Sequence, residues 1–180
     1  MSTIHKVFVS YHHANDQDWR NSFENMFGLL YGAFISKSVQ IDEISPLLAT
    51  DTIRGKIRDE YLRDSTVTVV LVGTQTWQRK HVDWEISSSI RSTKHSSRSG
   101  LFGILLPTHP SFGKPTYDPG LVPPRLVDNQ RRGFAAIYDW SYDATITHAR
   151  IQAAFDRRFT FEPDNSYEHF VNNKFADRWT

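Results

Sequence analysis

The feature that most constrains the fold is the run TVTVVLVG at residues 66–73, which is almost entirely apolar and rich in β-branched side chains. A strand of this kind is buried on both faces, and such strands belong to parallel sheets that helices cover on either side. The run LFGILL at 101–106 has the same character. Together the two runs predict an α/β protein built on a buried parallel sheet.

Three more strands and four helices are predicted around these two runs. The additional strands are KVFVS at 6–10, FAAIYDW at 134–140 and a weaker one, VQIDEI, at 39–44. The first helix is expected to have Asn15 as its N-cap, because an apolar stripe at helical spacing follows it. The stripe consists of Trp19, Phe23, Met26, Phe27 and Leu30. The other helices are predicted after a cap at Asp51 or Thr52, near 82–95 and near 144–158.

Strands that alternate with helices in this way predict a flavodoxin-like, five-stranded parallel sheet with helices on both faces and the strand order 2-1-3-4-5. Ligands of such sheets bind outside the carboxyl ends of strands 1 and 3, where the strand order reverses. Functional residues are therefore expected after Ser10 and after Gly73.

The chain is predicted to form one domain over residues 1–159, followed by an aromatic C-terminal extension over 160–180 that we expect to pack on the same domain. Between the last two strands, residues 107–127 contain six of the 8 prolines. This composition predicts a long loop, and long loops inside compact domains usually have a function.

Charge and cysteine content exclude several classes of function. A net charge of +1 gives no broad positive field for nucleic acid or an anionic membrane, so neither is expected as a partner. The chain has no cysteine, which excludes disulfides, thiolate nucleophiles and Cys-ligated metals. With no apolar N-terminal region typical of a signal peptide, these features favour a cytoplasmic protein.

Common nucleotide and metal motifs are also missing. There is neither a GxGxxG after the first strand nor a GxxxxGK[ST], which argues against a Rossmann dehydrogenase and a P-loop enzyme. The adjacent His12 and His13 point in different directions, and His81 with Glu85 lacks a third ligand, so no metal site is expected.

The candidate site residues are those that the predicted fold brings to the crevice. Ser10, Tyr11 and His12 end the first strand, and Asn15 follows before the first helix. Backbone N–H groups at that helix start could receive a phosphate, although turn chemistry and packing explain Ser10 and Tyr11 about equally well. Tyr11 could also stack on a base.

Two neighbouring residues on the third predicted helix complete the candidate set. Glu85 lies at the margin of that helix's buried stripe. Its carboxylate would either face the crevice or simply be stabilised by the helix dipole in the first turn. Trp84 points away from the stripe and could cap a pocket, contact a partner or cover a loop. On the second helix, Arg54 and Arg58 could meet phosphates, but such a pair more often forms a solvated face.

Three motifs in the same order resemble those of the TIR-like domains, most closely the ThsB family of Thoeris anti-phage defence. They are KVFVSYHHAND, DTIRGKIRDEYLRDSTVTVVLVGTQTW and HVDWEI. The resemblance extends from Lys6 to about Trp140. It implies a TIR-like version of the flavodoxin-like fold and an enzyme that cleaves NAD, with NAD as substrate and no separate cofactor.

The resemblance also implies roles for particular residues. The catalytic glutamate of TIR enzymes lies in a W-[CV]-x-x-E pattern, which matches Glu85 with Val82 in register. His81 stands where that pattern usually has tryptophan, and His12 replaces an arginine that often follows the first strand. The substrate-binding residues would be Ser10, Tyr11, His12, Asn15 and Trp84.

The implied product is a cyclic ADP-ribose isomer, released with nicotinamide, that diffuses to a separate NAD-depleting effector after an unknown phage-derived trigger. Two alternatives stay open: a catalytically silent TIR-like interaction module, and a plain NAD hydrolase that gives linear ADP-ribose. Self-association also stays open, because the proline-glycine loop that many TIR domains use for assembly is not recognisable in 45–52.

Overall fold

The computed structural model describes residues 5–31, 34–35 and 48–179, which form a parallel sheet with helices on both faces. Its strands are β1 (Val7–Ser10), β2 (Phe34–Ile35), β3 (Val67–Val72), β4 (Gly100–Leu105) and β5 (Ala135–Asp139). Four of them have four or more residues, and the two-residue β2 adds a fifth at the edge. Every pair is parallel, and the order β2-β1-β3-β4-β5 is the predicted one. The strand predicted at 39–44 lies outside the described residues.

The described residues contain five α-helices: α1 (Gln17–Tyr31), α2 (Thr50–Glu60), α3 (Lys80–Ser89), α4 (Pro124–Arg131) and α5 (Ala144–Thr160). The first four connect successive strands, and α5 follows β5. One face of the sheet packs against α1 and α5, through side chains such as Phe23 and Ile151. The other face packs against α2, α3 and α4. All six residues of β3 and all six of β4 are buried, as their apolar composition predicts. None of the described helices is both long and apolar enough to span a lipid bilayer.

Three helix boundaries differ from the sequence prediction. The residue that precedes α1 is Asp16, one position after the predicted cap Asn15. Helix α2 begins before Asp51 and Thr52, and its flanking residue Ala49 makes no side-chain cap. Helix α3 occupies 80–89 instead of 82–95. Its end is set by a turn in which the Thr93 hydroxyl accepts backbone hydrogen bonds, as serines and threonines often do outside helices.

The proline-rich segment is not the long irregular loop that its composition suggested. It contains a 3₁₀ turn at Pro119–Leu121, and its last residues, 124–127, form the first turn of α4. Pro124 is the first residue of α4, a position that needs no N–H donor and that suits the fixed φ of proline. The prolines therefore start a helix here instead of preventing one.

Arg58 is not part of a solvated face, because its side chain is only 1% exposed. Its guanidinium donates to the hydroxyls of Ser65 and Ser99 at 3.1 and 2.9 Å and to the carbonyl of Ser97. These bonds join α2 to the loops at the amino ends of β3 and β4, far from the carboxyl ends of the strands. Arg58 therefore has a structural environment and no access to a ligand in the crevice.

Residues 161–179, called the C-terminal segment below, contain no helix despite their partly helical spacing of aromatic residues. The segment runs over α3 and α4 in an extended, irregular path. Near its end, the indole N–H of Trp179 donates to the carbonyls of Pro119 and Val122 at 2.7 and 2.8 Å. The segment thus packs on the same domain.

The contact between β4 and α5 predicts a strong effect of one added methyl group. A Cβ at Gly100 would lie 2.1 Å from the carbonyl oxygen of Ala154, and backbone cannot move away as a side chain can. We expect Gly100→Ala to lower the free energy of unfolding by about 2 kcal/mol or more, measured by urea denaturation.

Gly55→Ala is the matched control, because a Cβ at this helical position would meet nothing within 4 Å. It should leave stability unchanged or raise it by up to about 1 kcal/mol. Equal stability of the two variants would contradict the packing of α5 on β4.

Candidate functional site

The candidate site lies where β1 and β3 end side by side. Ser10 pairs with Val70, so the loops that leave both strands begin at the same edge of the sheet. The chain after β1 then turns to α1 on one face, whereas the chain after β3 turns to α3 on the other. This divergence opens the crevice that flavodoxin-like sheets use for ligands.

A short hydrogen bond joins Glu85 to Ser10 across this crevice. The Ser10 hydroxyl donates to Glu85 Oε2 at 2.5 Å, and the two residues are 0% and 1% exposed. Val82 and Ile86 on the same helix are fully buried against the sheet, which turns Glu85, one step of about 100° from Ile86, toward β1. The sequence prediction placed Glu85 at this margin, and the structure brings it together with Ser10.

A cluster of histidines lies next to this carboxylate. His81 is one helical turn before Glu85 on the same face of α3, and its Nε2 bonds to the carbonyl oxygen of Tyr11 at 2.9 Å. The His13 ring lies against it, with ring centroids 4.1 Å apart. Because a carbonyl only accepts, Nε2 of His81 carries the proton.

Burial lowers the pKa of His81 to about 4, and the neighbouring histidines and Arg79 act in the same direction. Burial also lowers the pKa values of His12 and His13, with smaller effects from Arg79 and Arg20 respectively. All three imidazoles are therefore neutral at pH 7. The neighbourhood of Glu85 is polar without carrying histidine charge.

The other predicted residues of the β1 loop hold the loop together. The Tyr11 side chain is 4% exposed and its hydroxyl donates to Gln17 at 2.7 Å, so its ring belongs to the core and not to an open stacking surface. His12 is buried and its Nδ1 accepts the backbone N–H of Asn15. The Asn15 amide donates to Gln75 at 2.9 Å, which links the loop after β1 to the loop after β3.

Trp84 does not lie with Glu85. Neighbouring helical residues point about 100° apart, and Trp84 packs instead with α2 and the C-terminal segment. Its indole N–H donates to the carbonyl of Phe170 at 2.8 Å, and the His169 ring stacks on it at 4.8 Å. The sequence predicts that Trp84 contacts substrate, but in the structure α2 and the C-terminal segment already cover its side chain.

Asp16 is a crevice residue that the sequence prediction missed. Its carboxylate is 3% exposed and lies against Gly73, where an added Cβ would come within 2.5 Å of Oδ2. The Thr76 hydroxyl contacts it at 3.4 Å. Burial raises the pKa of Asp16 to about 6, while the Thr76 contact acts in the opposite direction. Its position just before the apolar stripe of α1 was the available signal.

Metal chemistry finds no support in this arrangement. Within the described residues, no group of three or more His, Asp and Glu side chains lies close enough to hold an ion. The site is thus a buried carboxylate, a serine and neutral histidines, a set suited to stabilising positive charge.

Comparison with known families identifies a match over the part of the chain that contains this site. The family described as Thoeris protein ThsB, TIR-like domain, matches residues 8–111, more than half of the chain. The matched residues include Ser10, the histidine cluster and Glu85. A search of curated proteins finds no match.

Asp16 predicts a measurable pH dependence of stability. In the unfolded chain an aspartate has a pKa near 4, so below about pH 4 both states are protonated and Asp16 costs nothing. Between pH 4 and about 6 the unfolded state ionises first, so the free energy of unfolding falls as pH rises. Asp16→Asn should remove this fall, which amounts to roughly 1–3 kcal/mol between pH 4 and 7.5.

The measurement is urea denaturation of both proteins at several pH values, plotted as the difference between them. The histidines titrate in both proteins and cancel in that difference. A difference that does not change with pH would show that Asp16 is ionised in the folded protein at pH 4.

Proposed function

Because the chain belongs to the family of TIR-like domains of Thoeris ThsB proteins, we propose that it is an anti-phage defence enzyme that cleaves NAD. Nicotinamide is one product, and a cyclic ADP-ribose isomer is the other. The cyclic product acts as a diffusible signal that activates a separate NAD-depleting effector. Glu85 is the catalytic carboxylate.

One observation carries this proposal: Glu85 is a buried carboxylate at the point where the strand order reverses, and Ser10 donates a hydrogen bond to it there. A buried carboxylate is costly unless hydrogen bonds or charges compensate for the lost water. The Ser10 hydroxyl bond to Oε2 provides part of that compensation, and it fixes the direction in which the carboxylate points.

The chemistry of NAD suits a single carboxylate. The nicotinamide ring is cationic while attached to ribose, so it leaves as a neutral molecule and needs no proton from the protein. As the C–N bond breaks, positive charge develops on the ribose, as in glycosidase transition states. An ionised Glu85 stabilises that charge, an interaction that is strongest where water is excluded.

Neutral histidines support the same chemistry. His81 lies one turn from Glu85, and a positive charge there would oppose the charge that forms on the ribose. Its pKa of about 4 keeps it uncharged at neutral pH. The phosphates of NAD would lie toward the start of α1, where backbone N–H groups favour anions and where Arg79 lies near enough to His12 to help lower its pKa.

Because the site is buried, NAD entry requires a movement that can be regulated, and the exclusion of water can decide which product forms. Glu85 and Ser10 are both almost fully enclosed, so NAD reaches them only after the side chains above them move. A site that closes again over the folded substrate excludes water, and an atom of the substrate itself can then attack the anomeric carbon. The requirement for opening gives a phage-derived trigger a step on which to act.

The first test is NAD turnover by the purified protein and by Glu85→Gln. We expect the substitution to lower kcat by about 100-fold or more, because glutamine keeps the shape but loses the charge that stabilises the transition state. Nicotinamide is followed by chromatography, and the nucleotide product is identified by mass. If the isolated protein is silent, both proteins are assayed in cells with and without phage.

Glu60→Gln is the matched control, since Glu60 is an exposed carboxylate at the end of α2. It should retain full activity. Turnover by Glu85→Gln equal to wild type would remove Glu85 from the mechanism. Linear ADP-ribose as the only product would favour the plain hydrolase, and absence of NAD binding together with a stable protein complex would favour the silent interaction module.

A further inference from the structure

We infer that the C-terminal segment is a positioning element of the active site, which fixes the rotation of α3 and hence the location of the Glu85 carboxylate. Asn173 and Asn165 are its positioning residues. This inference rests on the proposed function, because it assigns the segment a role in the reaction at Glu85.

The segment is bonded to α3 along the full length of the helix. Four of these hydrogen bonds are 2.8–2.9 Å long and reach the following residues of α3: Lys80, Asp83, Trp84 and Ser87. Asp83 and Trp84 are adjacent, and Lys80 and Ser87 lie three or four residues from them, so the four positions fall within about 100° on one side of the helix. The contact is therefore a continuous seam and not a single point of attachment.

Asn173 completes the start of α3. The flanking residue Arg79 makes no side-chain cap, so the helix lacks a cap from its own sequence. Asn173 supplies one from the other end of the chain, since its Oδ1 accepts the backbone N–H of Lys80 at 2.9 Å. The backbone N–H of Lys174 also donates to the carbonyl of Gln78 at 2.8 Å. These bonds hold the first turn of α3 in place.

The middle of the seam contains a buried ion pair. Arg125 Nε lies 3.0 Å from Asp83 Oδ1, and the two side chains are 0% and 3% exposed. The segment adds hydrogen bonds to both partners of the ion pair. Asp83 accepts the backbone N–H of Phe170, and Arg125 donates to the carbonyl of Tyr167 and to Asn165 Oδ1. The same Asn165 donates its amide to Ser87 at 2.9 Å.

Helix geometry connects this seam to Glu85. Successive residues turn by about 100°, so α3 has three faces: one toward the sheet with Val82 and Ile86, one toward β1 with Glu85, and one toward the segment. Val82 and Ile86 pack on the sheet through apolar contacts, which are not directional and so do less to fix small rotations. Hydrogen bonds on the third face have directional geometry and resist them.

A small rotation would be enough to disturb catalysis. Side-chain atoms lie about 5–6 Å from a helix axis, so a turn of about 10° moves a carboxylate by about 1 Å. A misplacement of this size can cost as much as about 100-fold in rate. The family match ends at residue 111, so these positioning contacts come from a part of the chain beyond it.

The test compares Asn173→Ala and Asn165→Ala with wild type in NAD turnover. We expect each to lower kcat at least fivefold while KM for NAD changes less than twofold, because the seam lies on a different face of α3 from Glu85. Asn173→Asp should restore kcat to within twofold of wild type, since a carboxylate also accepts the Lys80 N–H and is favoured at a helix start.

Asn172→Ala is the matched control: the neighbouring asparagine is exposed, and none of the seam's bonds involves it. It should have wild-type kcat. If Asn173→Ala and Asn165→Ala also keep wild-type kcat, or if Asn173→Asp is as slow as Asn173→Ala, the positioning role is wrong.

Amide hydrogen exchange separates this inference from the proposed function. We expect Asn173→Ala to speed exchange at least fivefold in the first turns of α3 and to leave β3 and β4 unchanged. This readout does not need activity. Unchanged exchange in α3 would overturn the inference, whereas a wild-type protein that never cleaves NAD under any condition would overturn the proposed function.

Discussion

Residues 82–89 of α3 are all buried, although five of these eight residues are polar. The charged side chains of such a helix need partners, whereas the buried Ser87 and Ser88 hydroxyls make no hydrogen bond within the described residues. Ser10 satisfies part of Glu85, and Arg125 with the C-terminal segment satisfies Asp83. The enclosure of α3 is thus the constraint from which the geometry of the site follows.

Charge is distributed around this helix so that few unpaired ions are buried. Asp83 and Arg125 neutralise each other, and the histidines near Glu85 are uncharged because burial lowers their pKa values. Asp16 is the exception: it is nearly buried, and Thr76 is its side-chain contact. Burial therefore raises the pKa of Asp16 to about 6. The Glu85 carboxylate therefore lies in surroundings that add little positive charge from histidines.

The sequence was sufficient for the architecture because burial on two faces leaves a clear mark in composition. The runs at 66–73 and 101–106 predicted strands β3 and β4, and the crevice followed from the strand order. The placement of Glu85 followed from helical periodicity. Those inferences needed only short-range patterns.

The remainder depended on contacts between distant parts of the chain. Helix α4 was missed because proline was taken as a loop signal, although Pro124 starts the helix. The environment of Trp84 could not be predicted, because its partner Phe170 lies 86 residues away in a segment that forms no helix or strand. An irregular segment that hydrogen-bonds through its backbone leaves no periodic pattern of apolar side chains. The sequence therefore gives no signal for where such a segment packs.

The dependence of α3 on the C-terminal segment also orders events during synthesis. The ribosome makes all five strands and all five described helices before it reaches Asn165 and Asn173. Until those residues emerge, Lys80 lacks its cap and the Asp83–Arg125 pair lacks Tyr167 and Phe170. A nascent chain that has finished its sheet therefore still has an incomplete third helix. We expect the Glu85 carboxylate to reach its final position only after Asn165 and Asn173 have been translated.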